Sequence, residues 1–300
     1  MIHIKNGFKG ERMIVFPKMV VDMMEHDPVC GAMMITHIGY YPNAKCHYID
    51  RRLPIDEYVL IYCVSGAGWC RLGGRRYAVS AGQYFVLPPD VPHSYGASDG
   101  APWSIYWLHI KGWYARVLLS GVGVPHVLAD GLSCGPARIQ MFEEMYCTLA
   151  EGYDMDNLRY AAAVLGHYLG TLLYPHQFVR ANGGTDANVA SGHDADVCQQ
   201  AISYMKAHID KQVTIKELAE YTGYIPTHFA AVFRKSVGHP PIAYFILLKI
   251  QAAAQYLQNT RLKVNQIAAK FGYEDFSYFS RVFSKVMGCS PSDYRRMPHC

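Results

Sequence analysis

The sequence predicts an α+β protein with a β-rich N-terminal part and an all-helical C-terminal part. Short runs of aromatic and β-branched residues, separated by Gly and Pro, fill residues 1–110, as is typical of strands. From residue 136 onward apolar residues recur every three or four positions, which indicates helices. A chain of 300 residues, 51% of them hydrophobic, is long and apolar enough for two domains with separate cores.

The predicted strands follow one another closely in the sequence. Four of them are YVLIYCVSG (58–66), GWCRLGG (68–74), RRYAVSAG (75–82) and QYFVLPP (83–89). Gly73-Gly74 is a hairpin turn signal between two of these runs. Short strands at a spacing of roughly 8–12 residues favour a β-sandwich or a β-barrel.

Two amphipathic helices are predicted over residues 136–178, the first of them starting at Pro136. The second carries an apolar stripe of Leu158, Ala162, Leu165, Leu169 and Leu172. The stripe has two interpretations, which the residues leave open. It packs on the β-domain of its own chain, or it forms an interface between subunits.

A stretch of small polar residues, 181–195, separates the two parts of the chain and is predicted to be a flexible linker. The predicted domains are therefore residues 1–180 and 196–300. Residues 1–195 contain 15 Lys and Arg against 17 Asp and Glu, whereas residues 196–300 contain 13 against 7. A basic C-terminal part joined to a nearly neutral N-terminal part favours a module that binds a polyanion.

Several classes of protein are disfavoured by composition. No uncharged apolar run reaches the ~18 residues that a membrane span needs, and no secretory leader is recognised at the N-terminus, so a cytoplasmic protein without membrane contact is expected. The nine cysteines are scattered and contain no C-x-x-C pair, which favours reduced thiols over a disulfide framework or a zinc site.

The C-terminal part contains an internal repeat. Residues 215–244 and 264–294 match in order at their aromatic, Gly and Pro positions. Each copy has a short helix that ends near a Gly, a tight turn, and a second helix that begins at Pro226 or after Asp275. Two helices joined in this way form a helix-turn-helix unit.

The second helix of each unit has an apolar face and a sparse polar face. The apolar side is predicted to hold Phe229, Val232, Phe233 and Val237 in the first copy, and Phe276, Phe279, Val282, Phe283 and Val286 in the second. The outward row fits a recognition helix, which needs a few side chains that reach bases or phosphates in a major groove. The residues predicted to contact double-stranded DNA are Thr227, His228, Arg234, Lys235, Ser277, Tyr278, Arg281 and Lys285.

On these motifs, residues 196–296 resemble the DNA-binding domain of the AraC family of transcriptional regulators. The stretch VNQIAAKFGYEDFSYFSRVFSKVMGCSPSDYRR (264–296) carries the most specific part of the resemblance. Two positions depart from the family pattern: Pro226 stands where a Ser usually caps the first recognition helix, and Lys249 where an Arg is usual in the helix that links the units. The resemblance implies a transcription regulator that acts as a homodimer, and that contacts RNA polymerase if it is an activator.

The N-terminal part is similar, more loosely, to the cupin-like sensory barrel of the sugar-responsive members. GQYFVLPPDVPHSY (82–95) and WSIYWLHIKG (103–112) carry this resemblance. It implies a small-molecule effector, with a carbohydrate expected, and no cofactor. The residues expected to bind it are His37, Arg51, His93, Tyr95 and Trp107. His37 and Ile105 replace a threonine and a histidine of the sugar-binding pattern, so the resemblance implies a shared pocket with a different sugar.

Two other interpretations are weighed against this one. One is a metal enzyme built on a cupin-like barrel. No H-x-H precedes His93, and no nucleophile elbow, P-loop or dinucleotide motif is present, so neither a catalytic nor a metal site is predicted. Alternatively the barrel holds no ligand and serves oligomerisation alone.

Overall fold

The computed structural model describes residues 3–121, 123–128, 131–182 and 193–296. The chain divides into two compact units, Met1–Ala190 and Ser191–Cys300, which are considered separately. Most of the predicted linker, residues 183–192, lies outside the described residues, and a helix already begins at His193. The seven cysteines whose side chains are described are free thiols.

The first unit contains ten strands and five helices among its described residues. The strands are β1 (Arg12–Val15), β2 (Met34–Tyr41), β3 (Tyr48–Arg51), β4 (Tyr58–Ser65), β5 (Ala67–Leu72), β6 (Arg75–Ser80), β7 (Gln83–Leu87), β8 (His93–Ala97), β9 (Ser104–Lys111) and β10 (His126–Val127). The helices are α1 (Lys18–His26), α2 (Trp113–Leu118), α3 (Gly131–Glu151), α4 (Met155–Leu173) and α5 (Pro175–Ala181).

The strands form two antiparallel sheets, in the orders β1-β2-β9-β4-β7-β10 and β3-β8-β5-β6. One core lies between the sheets and includes Val59 and Ile61 of β4 together with Cys70 of β5. The sheets do not close on each other, and the architecture is that of a cupin-like jelly roll, as the sequence predicts.

Helices cover the other face of the larger sheet. Successive side chains of a strand point to opposite faces, so Leu60 and Tyr62 of β4 face away from the sandwich and join a second core with the helices. Burial on both faces explains why β4 and β9 are almost continuously apolar.

The apolar stripe of α4 belongs to this second core. Leu158, Leu165 and Leu169 are at most 2% exposed and pack within the unit. Of the two interpretations of the stripe, packing on its own domain is therefore the one that the structure bears out. The predicted start of the preceding helix is wrong, because α3 begins at Gly131 and contains Pro136 within its length.

The second unit is entirely helical over its described residues. Its helices are α6 (His193–Ala207), α7 (Ile215–Thr222), α8 (Pro226–Val237), α9 (Pro241–Asn259), α10 (Val264–Lys270), α11 (Phe276–Met287) and α12 (Pro291–Arg296). Helices α7 and α8 form one helix-turn-helix unit, and α10 and α11 the other. Each helix-turn-helix unit has its own hydrophobic core. Helix α9 contributes Phe245 to the core of the first and Ile250 to the core of the second.

Helix boundaries in the second unit follow the local signals in the sequence. Gly223, Gly238 and Gly288 adopt left-handed conformations at the ends of α7, α8 and α11, where a side chain would be strained. Two predicted core positions are wrong: Phe276 is 45% exposed and Val286 36% exposed. They lie in the first and last turns of α11, on parts of the helix surface that no other described element covers.

Candidate ligand pocket and candidate nucleic-acid interface

A cavity of about 200 Å³ lies between the two sheets of the first unit, next to Lys5. Four of the five residues predicted to bind a ligand line this cavity: His37, Arg51, Tyr95 and Trp107. The fifth, His93, lies behind Arg51 and does not line it.

Strand pairing brings these residues together from distant parts of the sequence. Directly opposite residues of antiparallel strands lie side by side. The register places Arg51 of β3 opposite His93 of β8, and Trp107 of β9 opposite Gly39 of β2. Each of the four is therefore positioned by a strand of a sheet.

Gly39 makes room for the Trp107 ring. A Cβ atom at position 39 would lie 2.5 Å from Cζ2 and 2.6 Å from Cε2 of the indole, far inside contact distance. Without that atom, the ring packs near Tyr41, with the ring centroids 5.2 Å apart. Gly39 thus determines where the largest aromatic side chain of the pocket stands.

Two imidazole rings hold the Arg51 guanidinium. Nη1 of Arg51 lies 3.4 Å from Nε2 of His93, and Nη2 lies 3.3 Å from Nε2 of His109. A guanidinium only donates, so both rings accept through Nε2 and carry their proton on Nδ1. Both Nδ1–H groups donate hydrogen bonds. Nδ1 of His93 lies 2.9 Å from the carbonyl oxygen of Val91, and Nδ1 of His109 lies 2.7 Å from Oε2 of Glu57.

Glu57 and Thr36 connect His109 to His37 through hydrogen bonds. The Thr36 hydroxyl donates to Oε1 of Glu57 at 2.7 Å, which uses its single proton. Nδ1 of His37 lies 2.9 Å from the same hydroxyl and therefore donates to it, so Nε2 of His37 is an acceptor. Sequence reasoning missed Glu57 and His109. The position of His109, two residues after Trp107 in the same strand, was the available signal that it shares the pocket face.

Burial keeps these histidines neutral near pH 7. It lowers the pKa values of His37 and His93, and lowers the pKa of His109 to about 4 despite the opposing effect of Glu57. Burial acts to raise the pKa of Glu57, but the interactions with His109, above all its hydrogen bond, together with the hydrogen bond from Thr36, outweigh burial and the pKa falls to about 2. Glu57 is therefore an anion that orients neutral imidazoles.

His37, Glu57 and His109 offer ligand atoms that lie within 4.8 Å of one another. Two imidazoles and one carboxylate form a donor set that transition metals accept. Here, however, Nε2 of His109 accepts from Arg51, and a guanidinium at this distance opposes a second cation. The arrangement is better suited to a hydrogen-bond relay that orients Arg51.

One buried donor of the pocket residues has no partner in the described part of the chain. Trp107 is 8% exposed, and its Nε1 atom is buried and has no acceptor among the described residues. Buried N–H groups are almost always paired, by protein, water or ligand. The Trp107 side chain lines the cavity, but its Nε1 atom is enclosed by protein.

In the second unit, α8 and α11 present the polar rows that the sequence predicts. All eight residues expected to contact DNA are exposed: Thr227, His228, Arg234, Lys235, Ser277, Tyr278, Arg281 and Lys285. On the opposite sides of the helices, Phe229, Phe233, Phe279 and Phe283 are fully buried. The four cations form no ion pair among the described residues, so their charges are available to a polyanion.

Local contacts fix the start of each of these helices. The Asp275 carboxylate accepts from the Ser277 amide at 2.7 Å and caps α11. Pro226 is the first residue of α8, where no amide hydrogen is needed. The His228 ring stacks on Tyr224, with centroids 5.0 Å apart, which restricts its orientation.

Both units match known protein families. A model described as an AraC-like ligand binding domain matches residues 37–149, and one described as a helix-turn-helix domain matches residues 218–297. Together with the two exposed helices and the pocket, these matches define a DNA-binding regulator that has a separate ligand-binding domain.

Relatives of known role align with nearly the whole chain. The MmsAB operon regulatory protein of Pseudomonas aeruginosa is 30% identical over 284 residues, which span 93% of this chain and 88% of that protein. The arabinose operon regulatory protein of Escherichia coli is 24% identical over 89% of this chain and 88% of its own, and the lactose operon transcription activator of Staphylococcus xylosus is 24% identical over 85% and 88%. The chain belongs to the AraC family of transcription regulators. Its members regulate transcription and are not enzymes, so the barrel-enzyme interpretation is excluded.

Proposed function

We propose that the protein reads a specific DNA sequence through α8 and α11 and that a small molecule in the cavity of the first unit controls this binding. The observation that carries the DNA part is the duplication of one arrangement. In both helices a fully buried pair of phenylalanines fixes one face, which leaves a narrow polar row exposed on the other. A major groove accepts such a helix because its polar side chains are few and reach outward.

The effector is proposed to occupy the cavity lined by His37, Arg51, Tyr95 and Trp107. An indole face packs against the C–H groups of a small ring, while Arg51 and His37 supply a donor and an acceptor for its oxygen atoms. A sugar or a related polyol fits these groups. Binding would act on DNA affinity by favouring one of two states of the protein, to the extent that the ligand prefers that state.

Homodimer formation is proposed through the outer faces of α3 and α4. The inward stripe of α4 is used within the chain, so a partner would meet the opposite side. That side exposes Tyr160, Ala163 and His167. A dimer binds two half-sites of the duplex, and the second subunit binds with a higher effective concentration because the first is already in place. A regulator of this kind acts where the DNA is, in the cytoplasm, and contacts RNA polymerase if it activates.

Sequencing of DNA fragments selected from a genomic library by the purified full chain tests this function. One enriched sequence motif is expected. The affinity of the protein for DNA that contains this motif should fall steeply as the salt concentration is raised, because Lys and Arg displace counterions from phosphates. The selection is repeated with a broad panel of sugars and polyols. No enriched motif would contradict the DNA function, and a motif that no member of the panel affects would favour a barrel without a sugar effector.

A further inference from the structure

We propose that the effector carries a carboxylate bound by Arg51, so that the ligand is a small hydroxycarboxylic acid, such as an aldonic or uronic acid, and not a neutral sugar. This inference rests on the proposed function, in which the cavity of the first unit holds the effector. It is carried by the charges and hydrogen-bonding groups of the cavity wall.

The described residues that line the cavity carry positive charge only. Its charged wall residues, within the part of the chain that the structure describes, are Lys5 and Arg51, and no carboxylate lines it. The neighbouring Arg52 differs, because its guanidinium pairs with Asp50 at 3.1 Å and its side chain is 90% exposed. Arg51 is half-buried and makes no ion pair with any described residue. A partly buried guanidinium without an anion is unfavourable, and a carboxylate is its best-matched partner.

The groups that hold Arg51 orient it without neutralising it. His93 and His109 accept its hydrogen bonds as uncharged rings. The nearest anion of this network, Glu57, is occupied by His109 and Thr36 and does not line the cavity. The full charge of the guanidinium is therefore left for the ligand.

The other groups of the wall fit the rest of such a molecule. The Trp107 ring is an apolar surface on which the carbon chain or ring of the acid packs. Nε2 of His37 is an acceptor that suits a ligand hydroxyl. The cavity of about 200 Å³ is smaller than the roughly 300–1,000 Å³ of sites for drug-sized ligands, so the acid has about six carbons or fewer.

The test compares acids with their neutral counterparts on the full-length protein. Gluconate, galacturonate and glycerate are titrated as potassium salts at constant ionic strength, against glucose, galactose and glycerol, with binding measured by calorimetry. At least one acid is expected to bind tenfold or more tightly than its neutral partner. Equal affinity within every pair would overturn the inference while leaving a sugar-responsive regulator intact. Binding by no acid would also overturn it, and the DNA selection described above would still decide the proposed function.

Variants test the role of Arg51. Arg51→Gln is expected to weaken binding of the acid at least tenfold. The ratio of the affinity for the acid to the affinity for its neutral counterpart should also fall. Arg52→Gln removes the same charge from the exposed neighbour and should leave both affinities within twofold. Arg51→Lys keeps the charge and loses the bidentate geometry, so a loss of about threefold to tenfold in affinity for the acid is expected, which covers the case in which Arg51→Gln does not fold. If Arg51→Gln and Arg52→Gln weaken binding of the acid equally, the preference for acids comes from the overall charge of the surface. That result would contradict the proposal.

A metal-bridged acid is the competing explanation, since His37, Glu57 and His109 lie close together. Titrations are therefore repeated after dialysis against EDTA. Unchanged affinity is expected. Loss of acid binding with EDTA, and its return on addition of Zn²⁺ or Mn²⁺, would move the carboxylate from Arg51 to a metal and overturn the assignment.

Discussion

The ammonium group of Lys249, in the middle of α9, donates a hydrogen bond of 2.8 Å to the main-chain carbonyl of Phe271 at the end of α10. It also donates to the carbonyl of Lys211, before α7. Lys249 is only 3% exposed, and burial lowers its pKa. One side chain thus connects segments of the two helix-turn-helix units at the position where the family pattern usually has an arginine.

Replacing Lys249 with methionine is expected to lower the free energy of unfolding of the second unit by about 1–3 kcal/mol, because two buried carbonyls lose their donor. Lys249→Arg is the matched control and should cost less, since it retains donors. All four tryptophans, at 69, 103, 107 and 113, lie in the first unit. Urea unfolding followed by circular dichroism should therefore shift while the tryptophan fluorescence transition does not. A shift in fluorescence alone would contradict this role.

Gly39→Ala is expected to destabilise the first unit by about 1–3 kcal/mol, because the new methyl group would collide with the Trp107 indole. The tryptophan fluorescence transition in urea measures the loss. Gly100→Ala is the control, since nothing lies within 4 Å of a Cβ atom there. The double variant Gly39→Ala/Trp107→Leu should recover part of the stability, and the absence of any recovery would place the clash elsewhere.

The first unit is expected to lose stability as the pH falls from about 6.5 to 4. Burial lowers the pKa values of His47 and His109 to about 4, whereas an unfolded histidine titrates near 6.5. In this interval the unfolded chain takes up protons that the folded chain does not, so stability is retained above the interval and falls by up to about 1.4 kcal/mol per pH unit for each histidine. Urea midpoints from tryptophan fluorescence at several pH values measure the slope. His109→Gln should reduce the slope of the free energy of unfolding against pH by the contribution of one histidine. An unchanged slope would contradict the assignment.

Arg281→Ala is expected to weaken specific DNA binding by about 1–3 kcal/mol if the side chain pairs with a guanine, and to relax the sequence preference at that base pair. Affinity for the selected site and its single-base variants measures both effects. Arg75→Ala, an exposed arginine of the first unit, is the control for loss of one charge. Wild-type affinity in the Arg281 variant would show that this residue makes no such contact.

Ala163→Arg is expected to convert a dimer to a monomer, because the substitution puts a long charged side chain on the exposed face of α4. Light scattering after size exclusion measures the mass. The same substitution at Ala101, an exposed loop position before β9, should leave the dimer intact. A wild-type protein that is monomeric at tens of micromolar would contradict the proposed interface, and so would a dimer that withstands Ala163→Arg.

Much of the second unit was predictable because its signals are local. Glycine at a helix end, proline at a first turn and phenylalanines at helical spacing each act within a few residues. The same reasoning failed at Phe276 and Val286, two apolar side chains near the ends of α11 that no neighbouring described element covers. Periodicity specifies the direction of a side chain, but whether a neighbour lies there depends on the tertiary structure.

The sequence by itself determined the division into a β-rich part and a helical part, the duplication of the helix-turn-helix unit and the row exposed on α8 and α11. Its resemblance to the sugar-responsive regulators, and no local pattern, placed Arg51, Tyr95 and Trp107 in one pocket. Only the tertiary structure decided that Glu57 and His109 orient Arg51, that Gly39 makes room for Trp107, and that the α4 stripe is buried in its own domain. The physical reason is that helix faces and caps depend on neighbours along the chain. The pocket, by contrast, depends on the register of strands that are far apart in sequence, and no local pattern specifies that register.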